Sequence, residues 1–212
     1  MELSQIKKIL SEMPFQHHGT MKREFVGSFI STNSLSRNYI PLGIIEADDK
    51  SVELHLLNDD RAHVIGTVPV VKPDGEESNS NIFTLNFKDE LTISKIPIGL
   101  DASKIIQVNS VSVRPRYEGY GIASFAYSRL AEMGFIILSD CSQFTDGRKL
   151  WEKMAKKAHL NSYKIFVLDD EFGLVEKDGE PVSYDGTNIN ADAIWSSDEN
   201  YSKYHTLLVM KT

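Results

Sequence analysis

Between Phe25 and Phe87 the apolar residues come in short runs with a period near two: "FVGSFIS", "LGIIEA", "VELHLL", "HVIGTVPVV" and "IFTLNF". The runs are β-branched and aromatic, and Asn, Asp, Gly and Lys separate them, which is the pattern of strands rather than of a helical stripe. A parallel crossover takes a dozen or more residues, and most of these links are shorter, so successive strands pair antiparallel as a meander. The segment "KPDGEESNSN", Lys72 to Asn81, has no apolar side chain and predicts a long exposed hairpin loop.

The flanks read differently. Leu3, Ile6, Ile9, Leu10 and Met13 recur at helical spacing and stop before Pro14. After the meander, "IIQVNSVSV", Ile105 to Val113, predicts a central strand, followed by a glycine-bearing turn. Ile122, Phe125, Ala126, Leu130 and Met133 then predict a helix, with Gly134 as its left-handed terminator, and "FIILS" a buried strand. "GRKLWEKMAKKA" predicts a second helix capped by Thr145 or Asp146, "YKIFVLD" a strand, Glu171 to Tyr201 a turn-rich tail, and "YHTLLVMK" a last strand. The expected architecture is one α/β (α+β) domain over residues 1–212, with a mixed, mostly antiparallel sheet.

Its charge narrows the partners. Lys plus Arg number 23 against 30 for Asp plus Glu, so 23 − 30 = −7, which argues against a nucleic-acid surface. The single cysteine, Cys141, excludes an internal disulfide. The start "MELSQIKKILSEM" has no signal-peptide core, and no apolar run is long enough for a membrane span, so a cytoplasmic protein is expected.

The turn "RPRYEGYGIAS", Arg114 to Ser124, carries the chemistry. A strand that ends in a glycine turn and feeds a helix presents free backbone N–H groups and the positive end of the helix dipole, which together attract anions. A Walker A loop would need Gly-Lys-Ser/Thr, which is absent. A dinucleotide fingerprint would need a third glycine where Ser124 stands. Two readings remain: an anion cradle of another kind, or a tight turn whose glycines serve close packing.

Arg116, Gly119, Gly121 and Ala123 stand in the order Arg-x-x-Gly-x-Gly-x-Ala after a Val-rich strand. This resembles the acetyl-CoA pyrophosphate loop of the GNAT superfamily of N-acetyltransferases, and "LWEKM" is similar to a motif on that family's last helix. The stretch "LSDCSQFTDGRKLWEKM" is also similar to GNAT-like proteins of bacteriophages, which would place the chain in a host cytoplasm. The specific likeness covers Gln107 to Leu168. It implies a GNAT-like sheet with helices on both faces and splayed central strands. It further implies acetyl-CoA as acyl donor, with an amine-bearing small molecule or protein as acceptor, attacked directly in a ternary complex. Tyr117, Glu118, Gly119, Tyr120, Gly121, Ile122 and Ala123 would cradle the pyrophosphate through their backbone, Arg116 would open the loop, and the backbone at Val111 and Val113 would pair with the pantetheine.

The chain departs from that pattern where the chemistry is done. Trp151 stands where many members carry a proton-donating tyrosine, and Phe144 where they carry an asparagine. Gln107, Asn109, Ser110 and Ser112 supply no base. Candidates for the missing groups are Cys141 and Ser142, with Asp140 beside them, and the pair Glu53 and His55, two apart on one strand face. Proximity alone is a second explanation, and a non-catalytic acyl-CoA-binding or protein-interaction module on the same scaffold is a third. A structural protein with no coenzyme affinity is a further reading. His17-His18, His159 and His205 have no accompanying ligand cluster, so no metal site is expected.

Overall fold

The computed structural model describes residues 27–57, 63–93, 95–97, 99–140, 145–169, 173–195 and 206–212. The expected first helix, His17, His18, Cys141, Ser142, Phe144 and His205 lie outside them. The chain divides into two compact units, Met1–Asp89 with Asn109–Arg129, and Glu90–Val108 with Leu130–Thr212. It is a mixed α/β protein, rich in strand, whose strands pair mostly antiparallel.

The first unit is the meander. Strand β1 (Phe29–Ile30) leads into helix α1 (Thr32–Asn38), and then come β2 (Tyr39–Ala47), β3 (Lys50–Leu57), β4 (His63–Val71) and β5 (Glu77–Phe87), each antiparallel to the next. The outer half of β6 (Ile105–Val113) follows beside β5, and helix α2 (Ile122–Glu132) begins in this unit.

Two expectations are corrected here. The segment "TNSLSRN" forms α1, capped by Ser31 Oγ accepting from Ser34 N at 3.2 Å. The expected loop Lys72 to Asn81 is closed by Glu76, and its second half is strand, because Glu77 to Asn81 pair with β4 and β1 adds pairs with Asn79 and Ser80 on the other side. Ser78, Ser80 and Asn81 are buried although polar.

Alternation assigns the two sheet faces. Val52, Leu54, Leu56, Val64, Phe83 and Leu85 share one apolar face. Helix α2 covers it at Gly43, where a Cβ would stand 3.2 Å from Phe125 Cζ, and Arg129 Nε donates to Leu42 O at 2.7 Å. The opposite face carries Glu53, His55, His63, Ile65, Thr67, Thr84 and Asn86. Leu35 of α1 packs there with Ile30 against Ile65.

In the second unit the inner end of β6 runs parallel to β7 (Ile136–Leu138). Helix α3 (Thr145–Lys157), β8 (Lys164–Asp169), β9 (Gly173–Leu174), β10 (Glu176–Lys177), β11 (Glu180–Pro181), the single turn α4 (Ala191–Ile194) and β12 (Thr206–Lys211) follow. Strand β12 lies antiparallel between β7 and β8. Helix α3 already includes Thr145 and Asp146, so neither is its N-cap. Trp151, Met154 and Ala155 form its buried stripe. Among the described residues no helix is long and apolar enough to cross a membrane.

Candidate functional site

The turn after β6 is built in two steps. Pro115 starts a 3-10 turn, Pro115–Tyr117, that buries the Tyr117 ring, with Tyr117 N donating to Arg114 O at 2.8 Å and Glu118 N to Pro115 O at 3.2 Å. Gly119 and Gly121 then take φ of +83° and +85°, a region that L side chains enter at a cost of about 1–2 kcal/mol. A Cβ at either glycine would meet no atom of the described residues within 4 Å. Close packing is therefore not what these glycines serve. They set the backbone, and the space above them is open.

That backbone leaves a run of donors. The first bond into α2 is Phe125 N to Gly121 O at 2.9 Å. Among the described residues, no N–H from Gly119 to Ser124 has a protein acceptor. Four orphan donors are usual at a helix start, here Gly121 to Ser124, and the glycine turn extends the run to six. The helix dipole adds partial positive charge at the same end.

The loop's arginine is already engaged. Arg116 Nε donates to Asp48 at the tip of the β2–β3 hairpin, and this contact holds the guanidinium pKa above its ordinary value. Asp48 and Asp49 both have positive φ, 52° and 57°, as the two central residues of a tight hairpin turn must. Glu118 and Tyr120 are exposed, and Arg114 Nη1 donates to Ser80 Oγ at 3.4 Å.

On β6 itself, pairing with β7 covers Ile105 to Gln107 and then stops, while β6 continues to Val113. Past Gln107 no strand pairs with β6 on that side among the described residues. Gln107 is fully buried, and its amide is used up. Its Oε1 accepts from Thr92 N at 2.8 Å and Thr92 Oγ1 at 3.0 Å, and its Nε2 donates to Thr92 Oγ1 at 2.7 Å and Ser139 O at 3.1 Å. It is a structural clamp, with no capacity left for a substrate. Ser110 accepts from Asn86 Nδ2 at 3.0 Å, and Ser112 is exposed.

Glu53 and His55 do share a face, with Glu53 Oε2 3.6 Å from His55 Nε2, but it is the face opposite α2. Sequence reading missed their neighbours. Thr67 Oγ1 lies 3.3 Å from His55 Nε2, and the Tyr39 ring stands edge-on to both His55 and His63, with centroids 6.5 and 6.0 Å apart. Only a sheet register could have joined these residues, which are up to 28 positions apart. His159 is exposed, and among the described residues no group of His, Cys, Asp and Glu is arranged to hold a metal ion.

Burial holds the His55 pKa below the ordinary value, with Glu53 opposing in part. The unfolded chain thus takes up this proton first as pH falls. The stabilisation from a neutral His55 is complete above about pH 6.5 and is lost below it, down to the lower folded pKa. The stability difference between wild type and His55→Gln should shrink as pH drops through that window in pH-dependent urea melts. A difference that grows instead would mean that His55 is charged in the fold.

Comparison with family models, with curated proteins and with solved structures finds no match.

Proposed function

We propose that the chain is an acetyl-CoA-dependent N-acetyltransferase of GNAT type, transferring acetyl to a primary amine. One observation carries the reading: six consecutive N–H groups, Gly119 to Ser124, have no protein acceptor among the described residues at a helix start, and a Cβ on either glycine would meet none of those residues. Phosphate oxygens are acceptors only, and a diphosphate spans several such donors. The likeness of the loop and of "LWEKM" to that family selects coenzyme A among diphosphates.

In this reading the pyrophosphate rests on the Gly119–Ala123 backbone, and the pantetheine arm pairs with the backbone of β6 at Val111 and Val113. The amine nitrogen attacks the thioester carbonyl, an N–C bond forms, the C–S bond breaks, and the sulfur leaves as thiolate. The proton lost by the amine balances the one that coenzyme A gains. Positioning supplies much of the rate, up to roughly 7–11 kcal/mol in the best intramolecular cases. Cys141 and Ser142 remain candidates for the thiolate's proton, and Glu53 with His55 for the amine's.

A second reading, an acyl-CoA-binding module without turnover, is favoured by two specific observations. Trp151 is only 2% exposed, and Gln107 has no free hydrogen-bonding capacity. Thiol release from acetyl-CoA with a panel of polyamines, aminoglycosides and lysine peptides separates the two. Amine-dependent release that falls in a Cys141→Ala/Ser142→Ala variant with binding retained supports the enzyme. Firm binding with no release for any amine supports the module.

A further inference from the structure

Asp48 lies in a part of the chain that the coenzyme loop does not include, and its partner is the loop's own arginine. The hairpin fixes Asp48: Ala47 pairs with Lys50, so Asp48 and Asp49 alone make the turn, both in the left-handed region. Arg116 is the adaptable member, with a side chain 68% exposed against 26% for Asp48. Only its Nε is engaged, so among the described residues the terminal nitrogens have no partner. Glu118 is exposed in the same loop, and the whole chain carries −7.

Resting on the coenzyme reading above, we infer that Asp48 is a resident counter-ion which a polyphosphate must displace from Arg116, so that this hairpin residue sets the loop's affinity for anions. The exchange is between two acceptors for one guanidinium. A carboxylate and a phosphate both match its fork, and the phosphate brings more charge. While Asp48 holds Arg116, the incoming anion meets a neutralised arginine and an additional negative charge a few ångströms away. An exposed pair of this kind contributes little to folding, so removing it leaves the fold intact. Asparagine at position 48 keeps the turn, because it tolerates positive φ.

The test is a binding titration of coenzyme A and of inorganic pyrophosphate to wild type, Asp48→Asn, Arg116→Gln and the double variant at low salt. Asp48→Asn should bind both ligands about 3- to 10-fold more tightly, an effect that shrinks as salt screens it. The gain should vanish in the Arg116→Gln background, since no guanidinium is left to release. An equal gain in both backgrounds would reduce Asp48 to one more surface charge and overturn the exchange. Unchanged or weaker binding in Asp48→Asn would overturn it too, and weaker binding would make Asp48 a positioning residue. If no variant binds either ligand, the coenzyme reading itself fails; wild-type binding without the Asp48 effect removes this inference alone.

Discussion

Valine at Gly121 is expected to abolish measurable coenzyme A binding, with an affinity loss of at least about 100-fold. The residue holds φ +85°, and a β-branched side chain is strongly disfavoured there. The chain can keep that φ at a cost of at least about 1–2 kcal/mol, or swing to negative φ and re-aim the N–H groups of Gly121 and Ile122. Losing two charge-assisted bonds at about 1.5–3 kcal/mol each gives the 100-fold or more. Gly75 supplies the control. It stands in the β4–β5 turn at φ +83°, and a Cβ there also meets nothing. Gly75→Val should lose comparable stability and still bind. Equal binding by both variants, measured by calorimetric titration, would show that the Gly121 backbone holds no ligand.

The second large effect concerns stability. Gln107→Leu removes an amide that satisfies Thr92 N, Thr92 Oγ1 and Ser139 O in a fully buried position. Leucine nearly conserves the volume, so the loss is polar. Ser139 O is buried and costs about 1–3 kcal/mol when left unpaired, whereas the groups of the exposed Thr92 can turn to water, for a net loss of about 1–3 kcal/mol. At about 2–4 °C per kcal/mol for a chain of this size, the melting temperature should fall by roughly 2–12 °C. A fall under 2 °C would mean that the clamp is dispensable.

The strands that sequence reading placed best are those whose own residues decide them. His63–Val71 and Ile105–Val113 are β-branched runs ended by turn residues, and their bounds are the ones read from the letters. The glycines of the loop were legible for the same reason, since positive φ is a local property. Non-local contacts account for the misses. "ESNSN" joins β5 by pairing with β4 across the hairpin and, at Asn79 and Ser80, with β1 far back in the chain, and Ser78, Ser80 and Asn81 are buried there. Helix α1 has a single buried residue, Leu35, so it carries no apolar period to read.

The candidate site divides in the same way. Its backbone donors follow from Gly119, Gly121 and the helix start. The Arg116–Asp48 pair joins positions 68 residues apart, and Tyr39 meets His55 and His63 only through strand register. Gln107 was a possible hydrogen-bond donor in the letters, and only its neighbours reveal that it has none to offer.

The most direct measurement is the melting temperature of the full chain with acetyl-CoA or coenzyme A, against ATP and NAD as controls. Ligand at about a hundred times its dissociation constant adds about 2.7 kcal/mol, a rise of roughly 5–11 °C for a chain of this size. The full rise is expected with acetyl-CoA and coenzyme A, and a smaller one at most with ATP and NAD, which offer the loop a polyphosphate but no pantetheine arm. No rise with either up to millimolar concentration would contradict it, and would leave the open N–H groups of Gly119 to Ser124 as a turn facing water.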